Sequence, residues 1–285
     1  MMDVALFQSR LDSYGSTNAE EELNALREML QEMILAALSR TDFFSKAAFQ
    51  GGTRLRLFEG IRRYSEDLDF ALLTSNLEFD LNPYLELVAN ELASMGVVLE
   101  VVDKSKTSAA VKKGFLKNDT LVKILVLKYI GKNNLGKLAK ISIKLEVDAN
   151  PPSGATYCID NLFFPFLSTI RNFDRESAFA GKMHALLCRD YVKGRDWFDF
   201  IWYLGAHVKL NHSLLSSALN QYGPWAEQNI VSVDSWVKEQ LLEVISRIDW
   251  QAAKRDVMSF VFASDRPSVE LWSRDLFANL VERSF

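Results

Sequence analysis

Phe49-Gln50-Gly51-Gly52-Thr53-Arg54-Leu55-Arg56, followed closely by Arg63-Tyr64-Ser65-Glu66-Asp67-Leu68-Asp69-Phe70, is the stretch that decides the fold of this chain. A turn of small residues opens a short helix, and two carboxylates then alternate with apolar residues along a strand. Successive strand side chains point to opposite faces, so Asp67 and Asp69 share one face while Leu68 and Phe70 share the other. Like charges held about 6–7 Å apart along a backbone repel, and a fold keeps them together when something cationic lies between them. A pair of magnesium ions with a nucleoside triphosphate is such a thing.

Two metals need a third carboxylate from a neighbouring strand. Leu145-Glu146-Val147 fits, a single acid between apolar residues, and Asp148 competes because it faces the same side two residues later. Glu146 is favoured, since Asp148 abuts the turn Asn150-Pro151-Pro152-Ser153-Gly154 where the strand is expected to end. Gly51, Gly52 and Thr53 have a separate part to play. Glycines let a backbone approach phosphate closely, a helix start offers free N–H groups, and Thr53 adds a hydroxyl.

Further along, Lys182-Met183-His184-Ala185-Leu186-Leu187-Cys188-Arg189 sets Lys182 and Arg189 on one helix face. Gly194-Arg195-Asp196-Trp197-Phe198-Asp199 then opens a second helix with Asp196 and Asp199 on a shared face. Either the two cations close over the phosphates of a triphosphate, with Asp196 orienting Lys182 or a metal-bound water, or the four residues form a plain ion-pair network between helices.

Around these motifs the pattern predicts helices over Val4 to Tyr14 and residues 19–39, the latter opened by a capping box at Thr17-Asn18-Ala19-Glu20. A strand near Ala47–Phe49 and the carboxylate strand near Leu68–Leu72 follow, and then a helix from Pro83 to Met95. Strands are expected over Val97–Val102, Ala109–Phe115, Leu121–Ile130 and Leu138–Val147, with Gly131–Gly136 as a hairpin loop. Beyond the proline-rich turn, helical periods dominate near 175–191, 195–206, 212–221, 233–247, 250–261 and 267–283. The expected division is a domain over 1–152 and a helical one over 153–285. Phe163-Phe164-Pro165-Phe166 reads as a buried connection, and the six tryptophans, all in the C-terminal half, as helix-packing core.

The net charge of −4 conceals an asymmetry: Lys104 to Lys144 holds eleven lysines and one acid, about +10, leaving about −14 for the rest. Such a segment suits a phosphate backbone, protection of a sheet edge, or docking of an acidic partner. No apolar run is long enough to span a bilayer, and Met1 to Arg10 lacks a signal-peptide layout. Cys158 and Cys188 have no metal or disulfide context, so a reducing cytoplasm is expected.

In order, GGTxLR, RxSxDLDF, KLEV, AxKxxALxxR and RDxxD resemble the AbiEii/AbiGii-type nucleotidyltransferase toxin family, which includes the MenT toxins and belongs to the DNA polymerase β-like superfamily. The resemblance covers about residues 45–205. It implies an α+β fold, a polymerase β-like mixed sheet with helices followed by an α-helical C-terminal domain. It also implies magnesium-dependent transfer of NMP from an NTP. Carried over by position, Gly52 and Thr53 hold phosphate, with Arg63 and Ser65 beside the metal site. Asp67 and Asp69 become metal ligands, Lys182 the triphosphate lysine, and Asp196 the late acid. Gly-Gly-Thr stands in place of the wider superfamily's Gly-Ser, as is usual for this branch, and the one departure is Ala180-Gly181-Lys182 where the family has Ala-Glu-Lys, which weakens the first turn of that helix. The family points to the toxin of a type IV toxin–antitoxin or phage-defence pair, with a cognate antitoxin and a tRNA 3′ end as acceptor. The alternatives are a small-molecule nucleotidyltransferase of the antibiotic-modifying kind and a non-catalytic nucleotide-binding module.

Overall fold

The computed structural model describes residues 4–104, 110–118, 121, 125–129 and 141–285. Helices α1 (Val4–Ser13), α2 (Ala19–Ser39) and the short α3 (Phe43–Lys46) lead into β1 (Ala47–Gln50) and α4 (Gly51–Glu59). Then come β2 (Leu68–Leu72), α5 (Asn82–Ser94), β3 (Glu100–Asp103), β4 (Val111–Asn118), β5 (Ile141–Asp148), β6 (Tyr157–Leu162) and β7 (Ser168–Phe173). Seven further helices close the chain: α6 (Arg175–Cys188), α7 (Gly194–Gly205), α8 (His212–Gln221), α9 (Asp234–Arg247), α10 (Trp250–Met258), α11 (Arg266–Glu270) and α12 (Arg274–Ser284). The strands form one mixed sheet in the order β3-β4-β5-β2-β1-β7-β6. This is an α+β architecture.

Two compact units are present. The first comprises Met1–Arg54, Tyr64–Pro151 and Ile159–Asn172, the second Leu55–Arg63, Pro152–Cys158 and Phe173–Phe285. In the first, β2 lies between antiparallel β1 and parallel β5. Its apolar face is fixed by an aromatic cluster: Phe70 packs edge-on against Phe43 at 4.9 Å and lies 5.3 Å from Phe49. Helix α2 is buried almost throughout from Ala25 to Leu38. Its buried Glu32 pairs with Arg10, while Gln31 donates to the Ser65 carbonyl at 3.1 Å. That bond ties the core helix to the loop that carries the first carboxylate. In the second unit Trp197 and Trp272 are buried, and Trp197 stacks edge-on with Trp250 and Phe277.

Several expectations need correction. The α2 cap lies one residue later than read: Asn18 accepts from Glu21 N–H, and the Glu21 carboxylate accepts from the Thr17 N–H and hydroxyl. Residues 121 and 125–129, inside the strand expected over 121–130, belong to no strand. Past the proline-rich turn the sheet continues, with β6 and β7 on its far edge. The Phe163–Phe166 segment joins those strands where a buried connection between the domains was expected: Phe164 is buried against Phe7, but Phe163 is 78 % exposed. The last expected helix is two, because Ser273 caps α12 by accepting from Leu276 N–H. The expected hairpin loop 131–136 lies outside the described residues.

Candidate active site

Strand pairing assembles the carboxylates of the first unit. Asp69 stands directly across from Glu146 in the parallel β2–β5 register, and Ala71 across from Asp148. Neighbouring strands run about 4.8 Å apart, so Asp69 and Glu146 are adjacent on one face. Asp67 sits immediately before β2. Asp148 has a turn to hold, accepting from the Asn150 N–H at 2.9 Å, and burial pushes its carboxyl up.

Two lysines face these acids. Lys144 Nζ lies 3.1 Å from both Asp67 Oδ2 and Glu146 Oε2, and Lys113 Nζ lies 2.8 Å from Glu146 Oε1. Partial burial works to raise the Glu146 carboxyl, but the hydrogen bonds from Lys113 and Lys144 outweigh it and hold that carboxyl below its ordinary range. Partial burial likewise works against the Lys144 ammonium, and Asp67 with Glu146 raises it overall. Among the described residues no three His, Cys, Asp or Glu side chains converge as a metal cage. The donor set nonetheless fits a hard divalent cation: Asp67, Asp69 and Glu146 offer only oxygen, and three carboxylates against two ammoniums leave a negative balance. A cation shared by Asp67 and Glu146 must displace Lys144.

Gly51 is shaped around Asp69. Its φ is +79°, and an added Cβ would stand 2.3 Å from Asp69 Oδ2 and 3.0 Å from its Cγ. Only glycine accommodates both constraints. The Gly51→Ala variant is expected to stay folded but to lose at least about 10²-fold in activity, since a displacement near 1 Å suffices for that. Parallel melting and turnover measurements check this. Thr53 is fully buried and donates its hydroxyl to the Asp67 carbonyl, so the hydroxyl expected on phosphate instead anchors the carboxylate loop. Gly52 follows Gly51 in the first turn of α4. Ser65 holds the loop through its carbonyl.

The second unit holds the cationic motif as one chain of ion pairs. Arg63 clasps Asp199 through two bonds of 2.6 Å, both side chains fully buried. Lys182 Nζ lies 2.8 Å from Asp199 Oδ2 and 2.7 Å from Asp196 Oδ1, and Arg189 reaches Asp196 Oδ2 at 2.9 Å. Burial depresses the Lys182 ammonium, yet Asp196 and Asp199 more than offset it, and its pKa is raised overall. Burial also works to raise the Asp196 carboxyl, but Lys182, Arg189 and Lys193 hold it low. Three cations on two carboxylates leave an excess positive charge suited to phosphate. Arg63, expected beside the carboxylates, is committed here to Asp199. Asp199 itself was not among the expected site residues; its signal was the shared face with Asp196.

Gly181 stands in the middle of α6 rather than in its first turn, exposed and with open space around it. Gly181→Ala is expected to stabilise the fold by about 1 kcal/mol, read as a higher urea midpoint.

The lysine-rich segment divides by position. Lys112 is buried, Lys113 and Lys144 face Glu146, Lys117 pairs with Glu100, and Lys128 with Asp12. Strand β4 is flanked by β3 and β5, so its lysines guard no sheet edge. Lys106, Lys123, Lys132, Lys137 and Lys140 lie outside the described residues.

A family described as Nucleotidyl transferase AbiEii toxin, Type IV TA system, matches residues 33–276. Among solved structures, the chain is similar to MenT4, a nucleotidyltransferase toxin from Mycobacterium tuberculosis, at 15% identity and TM-score 0.52, covering 100% of this chain and 99% of that one. It is also similar to JHP933 from Helicobacter pylori, at 17% identity and TM-score 0.50, covering 94% of this chain and 91% of that one. At those identities the likeness concerns the fold. No curated protein matches the chain.

Proposed function

The chain belongs to the AbiEii nucleotidyl transferase toxin family of type IV toxin–antitoxin systems, and we propose that it transfers NMP from an NTP to the 3′ end of an RNA, tRNA foremost, in the cytoplasm. The observation that carries this reading is the register of Asp69 on Glu146 with Gly51 moulded to Asp69. Asp67, Asp69 and Glu146 would hold magnesium, one or two ions, which when bound neutralises the triphosphate and favours in-line attack. Thr53 and Gln31 fix the loop from which Asp67 projects. Lys182, poised by Asp196 and Asp199, supplies the compact positive charge for the triphosphate, with Arg189 beside it. The lysine excess between residues 104 and 144 favours a phosphate-rich acceptor over a small molecule. An antitoxin partner follows from the family.

Because Lys144 contests the position between Asp67 and Glu146, Lys144→Met is expected to bind manganese about tenfold more tightly than the wild type. Removing one competing charge at 4 Å is worth about 1–4 kcal/mol across the relevant dielectric range. Calorimetric titration reads it, and an unchanged affinity would remove Lys144 from the competition.

The acceptor is tested by incubating the protein with each α-labelled NTP, magnesium and total tRNA, and resolving the products on a denaturing gel. Label on tRNA is the expected result. Label on the protein itself, or only on an added aminoglycoside-type small molecule, would overturn the RNA acceptor.

A further inference from the structure

Where α6 ends, α7 begins and α9 ends, the helical unit contains a cavity of about 390 Å³. That volume falls in the range of ligand sites, about 300–1,000 Å³. Its charged lining is lopsided in use. Asp196 is already taken by Lys182 and Arg189, whereas the Lys193 ammonium feels Asp196 only through space and has no hydrogen-bond or ion-pair partner among the described residues. Lys193 is only partly exposed, and burial lowers its pKa. Arg247 reaches Glu243 only at 3.7 Å and is two-thirds exposed. The Arg189 Nη1 atom, though ion-paired, is buried without a hydrogen bond. At the lining stands Tyr191, 66 % exposed, with the Arg189 guanidinium 5.0 Å from its ring centroid.

A desolvated, unpaired ammonium is a cost, and an exposed tyrosine on a cavity wall buries little. An anion relieves the first, and a flat aromatic ligand uses the second.

We propose that this cavity binds one nucleotide, its phosphate on Lys193, Arg189 and Arg247 and its base against Tyr191. The choice of a nucleotide among phosphate esters rests on the nucleotidyl-transfer reading. The nucleotide is either a free NTP or the terminal unit of an RNA, and both carry the same chemistry.

The test is equilibrium binding without divalent metal, so that it is independent of turnover. The four NTPs are titrated one at a time by calorimetry, and a fluorescent short single-stranded RNA by anisotropy, into wild type, Lys193→Gln, Tyr191→Leu and the control Lys46→Gln. One charge-assisted hydrogen bond is worth enough to weaken binding about tenfold in Lys193→Gln. Tyr191→Leu should lose several-fold, with the control unchanged and all melting curves superimposed. Weakening confined to NTPs identifies the free nucleotide, and weakening confined to RNA identifies the terminal unit; either supports the site. Wild-type affinity in both variants, or no binding of either probe to the wild type, overturns it. Failure of the transfer reading would look different: binding and its loss as expected, with no label moved in the tRNA assay.

Discussion

Asp69→Ala is expected to slow nucleotidyl transfer by at least about 10³-fold, while the melting temperature moves by no more than a few degrees. The size follows from the chemistry: when a transition state is stabilised chiefly by charge and position, loss of a single preorganised group already costs about 10²–10³-fold. Asp69 is the most constrained of the three carboxylates, paired in register with Glu146 and pressed against Gly51. The fold survives because the apolar side of β2, with Leu68 and Phe70 buried, does not involve the carboxylate. Asp67→Ala should behave the same way, since Thr53 holds the backbone of that residue rather than its side chain. Turnover measured beside thermal melting checks both. Wild-type rates in either variant would remove the carboxylate face from the chemistry.

Asp199→Ala is expected to do the opposite: it destabilises the fold first. Asp199 is fully buried, clasped by Arg63 and touched by Lys182. Removing it strands a buried guanidinium, and breaking such pairs costs about 3–5 kcal/mol. In a chain of this size that lowers the melting midpoint by roughly 10 °C. Asp196→Ala should cost less, since Lys182 keeps Asp199 and Arg189 is a quarter exposed. Urea denaturation of the two variants orders them, and equal stability would mean that the network is not the support inferred here.

How much of this was legible in the sequence varies with how local the cause is. The shared face of Asp67 and Asp69 and the placing of Glu146 between apolar residues follow from strand alternation, a property of neighbouring residues, and the β2–β5 register sets Asp69 beside Glu146. The helices from 175 to 247 were readable for the same reason. What was hidden depends on contacts distant in sequence. Arg63 and Asp199 are separated by 136 positions, and no spacing rule joins them. Lys144 and Lys113 looked like part of a diffuse basic segment, because sequence records charge density and not direction. Lys144 lies two residues before Glu146 on the same strand face, so the period-two rule that selected Glu146 also held the clue to its lysine partner. Strands β6 and β7 escaped notice because a proline-rich turn precedes them and β6 alternates only weakly at an exposed edge. The sequence shows Gly51 only as a small residue suited to close phosphate approach, while its contact with Asp69 exists only once β1 and β2 are paired.

Nucleotidyl transfer breaks the bond between the α- and β-phosphates, so NMP reaches the acceptor and pyrophosphate leaves. The decisive measurement is a paired reaction, one tube with α-labelled and one with γ-labelled NTP, each with magnesium and tRNA. Label from the α-position on RNA, with γ-label released as pyrophosphate, is the predicted result. Label from the γ-position on RNA, or none from either, would contradict it.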